Sequence, residues 1–214
     1  MNPVPASRVV AAFDVDGTLM RRDTLVPFLA RVFGPWRVAL AFATLAPHGL
    51  RLAAGRITID DFKCRVIERL FAGARVAPVR DAARVHAVAV RAWIRPAALE
   101  RIDWHRAQGH AVVLVSAGLD LYLQPLAAHL GVPDVLCTRL ATRDDAGEFF
   151  SGAIEGEDCT GAAKVRRLAE RFGDLATLEL HAYGDSAGDR ELLAAADHAH
   201  FRPFRRAASG PSAR

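Results

Sequence analysis

The chain reads as an α/β protein, a parallel sheet flanked by helices and interrupted early by a helical insertion. Three observations predict this. A short apolar run, Val9-Val10-Ala11-Ala12-Phe13, goes straight into Asp14-Val15-Asp16-Gly17, the pattern of a buried strand reaching a loop. From Asp23 to about Arg91 the apolar residues recur at helical spacing. Beyond residue 92, apolar runs alternate with helical segments, the rhythm of βαβ units.

The elements follow in order. Residues 9–13 form the first strand behind a short tail. Leu25, Phe28, Leu29, Val32 and Phe33 make one apolar helix face, stopped by Gly34-Pro35. Residues 36–45 are nearly continuous apolar, Pro47-His48-Gly49 interrupts, and residues 50–54 resume before Gly55. Thr58-Ile59-Asp60-Asp61 has the composition of a helix start, opening a helix over 62–71. Another helix is expected after Pro78, running toward Trp93. A helix over 96–108 has Pro at its first turn and Gly109 beyond its end. A strand over 110–115 ends at Ser116-Ala117-Gly118. A helix over 119–130 is closed by Gly131, and a short strand follows at 135–138. Residues 139–154 read as a hairpin turning at Asp144-Asp145-Ala146-Gly147. A helix over 161–172, a strand over 178–183 and a short helix over 189–196 complete the pattern. The last residues are small and polar and read as a flexible tail. The three tryptophans, Trp36, Trp93 and Trp104, are expected to pack within the fold.

The 214 residues, 51% of them hydrophobic, suffice for a sizeable core and exclude wholesale disorder. The formal charge is +4 with a pI near 9.4, and arginine supplies almost all the cations. The arginine excess fits biased codon usage or attraction to anionic substrates. Only Lys63 and Lys164 are lysines, so Lys164, at a helix start, stands out as an amine available for chemistry. Cys64, Cys137 and Cys159 show neither a C-x-x-C spacing nor an even count, which excludes a cysteine zinc motif and a disulfide framework. Reduced thiols fit a cytoplasmic protein. The first apolar run is too short for a signal peptide.

Chemistry concentrates where strands end. In open parallel sheets, ligands bind at the carboxyl edge. Asp14 and Asp16 follow the first strand, and buried carboxylates are costly unless they meet a cation or donors. A divalent metal accounts for them. Asp185 and Asp189, in Gly184-Asp185-Ser186-Ala187-Gly188-Asp189, follow a later strand. Ser116 closes another apolar run, where it can cap a helix or bind phosphate. Lys164 follows Cys159-Thr160-Gly161-Ala162-Ala163. None of the histidines is assigned to catalysis.

In this order, the four segments resemble the four motifs of the haloacid dehalogenase-like (HAD) superfamily of phosphohydrolases, over nearly the whole chain. The resemblance implies a Rossmann-like core over 1–20 and 92–206, an all-helical C1-type cap over 21–91 and a flexible tail over 207–214. A cap closes over the site and excludes water. The implied chemistry is Mg²⁺-dependent hydrolysis of a phosphomonoester through an aspartyl phosphate. Asp14 is the implied nucleophile and Asp16 the general acid and base. Gly17, Thr18, Ser116, Ala117 and Lys164 bind the phosphate. Asp14, Asp185 and the backbone carbonyl of Asp16 hold the metal, and Asp189 supports Lys164 or a metal-bound water. Many relatives carry Asn immediately before the final Asp of the last motif, where this chain has Gly188.

The helical insertion and the Ser116/Lys164 arrangement resemble subfamily IB, which includes the phosphoserine phosphatases and bacterial phosphatidylglycerophosphatases. The first comparison makes Asp23 and Arg65 candidates for substrate specificity. The second draws on the apolar segment 36–54 flanked by Arg31, Arg37, Arg51 and Arg56. Pro47, Gly49 and Arg51 argue against a membrane span, leaving an interfacial segment or a buried cap helix. The expected partners are a phosphorylated small molecule or lipid, with peripheral membrane contact through the cap and a two-fold dimer as further expectations. A phosphomutase is the alternative on the same scaffold. A non-enzymatic module binding anions or nucleic acid through Arg202, Arg205 and Arg206 is the other; no nucleic-acid partner is expected.

Overall fold

Val10, Ala11, Ala12 and Phe13 are fully buried, as expected of a parallel strand covered on both faces. The computed structural model describes residues 9–143 and 146–205. Along the chain, β1 (Val9–Phe13) is followed by five helices, α1 (Leu25–Phe33), α2 (Pro35–Thr44), α3 (Ala46–Ala53), α4 (Ile59–Phe71) and α5 (Val76–Val90). Then come α6 (Pro96–Ala107), β2 (Ala111–Leu119), α7 (Asp120–Leu130), β3 (Asp134–Thr138), β4 (Leu140–Thr142) and β5 (Phe150–Ile154). The chain continues with α8 (Ala162–Phe172), β6 (Glu179–Gly184), α9 (Arg190–Ala194) and β7 (His198–Phe201). This is the expected α/β fold, a parallel sheet with flanking helices. The described residues divide into two units, 9–22 with 93–116 and 160–205, and 23–92 with 117–143 and 146–159. The second is wider than the helical segment 21–91, because α5 packs on α7 and α4 packs on β5. β2 crosses the division, its last three residues belonging to the second unit.

In the first unit β1 lies between β2 and β6, parallel to both, and β7 extends the sheet alongside β6. Phe13 pairs in register with Leu114 on one side and Tyr183 on the other. The Phe13 and Tyr183 rings stack at 4.3 Å. The buried Tyr183 hydroxyl meets His105 Nε2 of α6 at 2.9 Å, so the phenol keeps a polar partner inside the core. This register sets the ends of β1 and β6 level, and the loops that follow both strands leave from the same edge.

The second unit is built on aromatic packing. Phe28 lies 4.9 Å from Tyr122, and Phe71 meets Phe150 edge-on at 5.6 Å. Thr58 caps α4: its hydroxyl accepts from Asp61 N at 3.0 Å, while the Asp61 carboxylate accepts from Thr58 N at 2.8 Å. This reciprocal pair satisfies two amides that the helix leaves open, a cap worth about 1 kcal/mol. The β4–β5 pair is antiparallel, as expected for a hairpin. Gly152 has φ +91°, and a Cβ there would lie 3.0 Å from Ala72 Cβ, so only glycine lets β5 lie this close to the end of α4.

Several local expectations are corrected. β2 does not end at Ser116-Ala117-Gly118 but runs through them to the fully buried Leu119, because small side chains let the extended backbone continue within the core. α5 begins at Val76, two residues before Pro78, which occupies the first turn where no N–H is needed. α9 is shorter than the expected 189–196. β7 was not expected at all. Trp36 is not packed: it is 79% exposed, and Trp104 is 44% exposed. α3 buries none of its residues, so it is not a buried helix. The turn residues Asp144 and Asp145, the residues before Val9 and the tail 207–214 lie outside the described residues.

Candidate active site

The loop after β1 carries Asp14, Asp16, Gly17 and Thr18 in that order. Asp14 N donates to the Tyr183 carbonyl at 2.9 Å, which fixes the aspartate at the end of the β1–β6 ladder. The turn closes through Met20 N to Val15 O at 2.8 Å, with Gly17 at φ +84°. A Cβ on Gly17 would lie 2.5 Å from Asp185 Oδ2, so glycine is required both for the backbone conformation and for room beside that carboxylate.

α8 delivers Lys164 from its first turn. The side chain is buried, and Nζ donates to Asp14 Oδ1 at 2.7 Å and to Asp189 Oδ1 at 2.6 Å. The other Asp189 oxygen accepts from Asp185 N at 3.1 Å, Ser186 N at 3.0 Å and Ser186 Oγ at 2.8 Å. Asp189 therefore ties the lysine to the loop that presents Asp185. Thr18 Oγ1 reaches Asp185 Oδ1 at 3.5 Å, and Arg205 donates to Asp185 Oδ2 at 2.6 Å.

Asp14, Asp185 and Asp189 are all buried, and each offers an oxygen within 4.8 Å of the others. Burial raises the Asp14 carboxyl to about 6, opposed by Lys164 and reinforced by the charges of Asp189 and Asp185. Burial also pulls on the Lys164 ammonium, but the Asp14 and Asp189 carboxylates outweigh it, so its pKa moves up and it stays charged. For Asp189, burial is outweighed by Lys164 and the Ser186 donors, and its carboxyl titrates below the usual range. Three carboxylates face two cations, Lys164 between Asp14 and Asp189 and Arg205 on Asp185. The donors are all oxygen and the charge is in surplus, which suits a hard divalent cation such as Mg²⁺.

Asp14, Gly17, Thr18, Lys164, Asp185 and Asp189 are thus brought together in the first unit. Asp16 is half-buried on the same loop, with extended backbone at φ −74° and ψ 122°. Ser116 is buried in β2, the strand beside β1, and does not cap α7, whose cap position is Leu119. Ala117, Asp23 and Arg65 belong to the second unit. There the Ala117 carbonyl accepts from Lys63 and from Thr138 Oγ1, Asp23 accepts from Val26 N at 3.2 Å, and Arg65 pairs with Glu68 at 3.5 Å on an exposed helix face. At Gly188 a Cβ would lie 2.6 Å from Thr160 Oγ1, so a larger residue there requires that hydroxyl to move. Sequence reasoning read Arg205 only as part of a basic tail. Its contact with Asp185 spans 20 residues and had no local signal.

The haloacid dehalogenase-like hydrolase family matches residues 11–194. Protein CicA of Caulobacter vibrioides is 36% identical over 198 residues, 92% of this chain and 87% of that protein. The crystal structure of a protein of unknown function from Bordetella pertussis Tohama I superposes with a TM-score of 0.74 at 27% identity, covering 89% of this chain and 87% of that one. A phospho-aspartyl intermediate analogue of phosphoserine phosphatase shares the fold, with a TM-score of 0.58 at 21% identity over 89% of this chain and 84% of that one. The match over residues 11–194, the relative at 36% identity and the geometry around Lys164 lead to one assignment: this chain belongs to the haloacid dehalogenase-like hydrolases.

Proposed function

We propose that the protein is a Mg²⁺-dependent phosphomonoester hydrolase that works through an aspartyl phosphate on Asp14. The observation that carries the reading is the buried Lys164 ammonium bridging Asp14 and Asp189, with the Asp185 carboxylate alongside. Asp14, Asp185 and the Asp16 carbonyl would hold Mg²⁺, which supplies positive charge against which a carboxylate can approach a phosphate. Asp14 attacks phosphorus in line, and the bond to the leaving oxygen breaks. Asp16 gives its proton to that oxygen, then takes one from the water that hydrolyses the acyl phosphate. Lys164, Ser116, Thr18 and the amides around Gly17 balance charge on the phosphoryl oxygens. Asp189 positions Lys164.

For the substrate, a lipid phosphate such as phosphatidylglycerophosphate is favoured by one observation. α2 and α3 expose Trp36, Leu40 and Leu50, with Arg37 and Arg51 exposed beside them. Apolar and cationic side chains on one helical segment suit the interface of an anionic membrane. Among the described residues, no single helix is long and apolar enough to cross a membrane. A small phosphoester such as phosphoserine is the second reading, supported by the fold shared with phosphoserine phosphatase.

The test is phosphate release from phosphatidylglycerophosphate in mixed micelles, beside phosphoserine and sugar and nucleotide monophosphates, with and without Mg²⁺. Preference for the lipid, lost in Trp36→Ser with Leu50→Ser, supports the first substrate reading. Preference for phosphoserine, lost in Asp23→Asn, supports the second. Isomerised sugar phosphate without free phosphate would indicate a mutase. Release that is equal in Asp14→Asn, or absent for every substrate, overturns the hydrolase reading.

A further inference from the structure

Five of the eight histidines, His105, His110, His181, His198 and His200, gather in the first unit, away from the aspartates. We propose that three residues at this cluster's rim, Glu179, His181 and His198, form a second cation site, for a borderline transition-metal ion such as Zn²⁺, which clamps β7 to β6. Strand register builds the site. His181 of β6 pairs directly with His198 of β7, and Glu179 lies two residues before His181, so alternation places all three on one face. His198 Nε2 lies 3.1 Å from Glu179 Oε1, and His181 Nε2 lies 3.3 Å from the same oxygen. Tetrahedral Zn²⁺ with bonds of about 2.0–2.2 Å needs neighbouring ligand atoms about 3.4 Å apart. The Glu179 oxygen already stands at nearly that separation from both nitrogens, and all three atoms lie within 4.8 Å of one another.

The donor set separates this site from the aspartate cluster. Two imidazoles and one carboxylate suit Zn²⁺, Ni²⁺ or Cu²⁺, whereas Mg²⁺ takes oxygen ligands. Distance separates them too: His181 and Asp185 are four residues apart along an extended strand, about 13 Å. Neutral imidazole is the ligating form. The His181 ring stacks on His198 at 4.3 Å, so one imidazole turns off the stack for both nitrogens to face the same ion. Buried His181 Nδ1 has no partner among the described residues. Metal-bound histidines ordinarily gain strength from such a partner, so micromolar rather than tighter affinity is expected. Glu179 and His198 are half exposed, leaving a fourth position open to water. β7 is a four-residue strand at the end of the sheet, with β6 alone beside it in this unit, so a bridging ion would fasten a strand held on one side only.

The test is calorimetric titration of the whole chain with ZnCl₂ in millimolar Mg²⁺, which occupies the aspartate cluster. One Zn²⁺ per chain is expected, with a rise in melting temperature. His198→Ala and Glu179→Gln, both at exposed positions, should each weaken Zn²⁺ binding at least tenfold and abolish that rise. Neither change should alter melting without Zn²⁺ or Mg²⁺-dependent phosphate release. Asp14→Asn should bind Zn²⁺ as the native chain does. The proposal is overturned if the native chain binds no Zn²⁺, if both rim variants bind it as tightly as the native chain, or if binding is lost in Asp14→Asn.

Discussion

The chain's two lysines end in two charge clusters that are balanced differently. In the second unit, Lys63 pairs with Asp158 at 2.7 Å and also donates to the Ala117 carbonyl, while Thr138 donates to both of those acceptors. One ammonium meets one carboxylate, and neutral groups take up the remaining valences. In the first unit, Lys164 touches two carboxylates, Asp14 and Asp189, while the neighbouring Asp185 pairs with Arg205 at 2.6 Å. A balanced buried pair holds chain segments together. Two buried carboxylates on one ammonium leave negative charge for a cation to meet; burial first, then the charges of Asp189 and Asp185, raises the Asp14 carboxyl against Lys164. Burial alone does not separate structure from function here, since both lysines are largely shielded from water; the number of carboxylates bonded to each ammonium does.

The largest expected effect falls on the unbalanced cluster. Asp14→Asn removes the nucleophile and should lower turnover by at least about 10⁴-fold. With a neutral side chain in place of a buried carboxylate, the metal-free variant should melt no lower than the native chain. A marked loss of metal-free stability would show that Asp14 is structural, as Asp158 is. Lys63→Met should do the opposite and destabilise by about 3–5 kcal/mol in urea, because it strands the buried Asp158 carboxylate. Adding Asp158→Leu should recover most of that loss, and a failure to recover would mean that the pair's worth lies outside its charges.

Sequence and structure agree where the chemistry follows a strand end. Asp14 and Asp185 were legible because apolar runs stop at them, and Lys164 because lysine is so scarce. β7, with sequence His-Ala-His-Phe, was not legible: four residues with little apolar character look like loop, and only pairing with β6 makes them a strand. The Lys63–Asp158 pair joins residues 95 apart, beyond any local pattern. Continuation of β2 through Ser116 and Gly118 was hidden because both residues ordinarily mark turns, and core burial overrides that preference. The two-residue period of Glu179-x-His181 and of His198-x-His200 was visible, but the strand carrying the second pair was not.

Two smaller effects sharpen the contrast. Gly188→Asn introduces a Cβ 2.6 Å from Thr160 Oγ1 and should cost about 1–3 kcal/mol by overpacking, with weakened Mg²⁺ affinity as the Asp185 loop shifts. Equal stability and affinity would show that this loop yields freely. The pH response is the smallest. The folded Asp14 carboxyl lies near 6, above its unfolded value of 3.8, so the proton favours the metal-free fold. Its contribution to metal-free stability is fully present below pH 3.8 and lost as pH rises through 6. Mg²⁺ competes with that proton. Its affinity, followed by calorimetry, should be flat above pH 7 and fall up to about tenfold per pH unit below 6, less whatever the other carboxylates retain. A flat profile down to pH 5 would mean that Asp14 is not among the ligands.

The most direct measurement is acid quenching of the Mg²⁺-loaded enzyme during turnover of radiolabelled phosphatidylglycerophosphate or phosphoserine, followed by peptide mapping. Label on the peptide containing Asp14, discharged by hydroxylamine and absent in Asp14→Asn, is the expected result. Turnover without any enzyme-bound label, or label elsewhere in the chain, would contradict an aspartyl phosphate at Asp14.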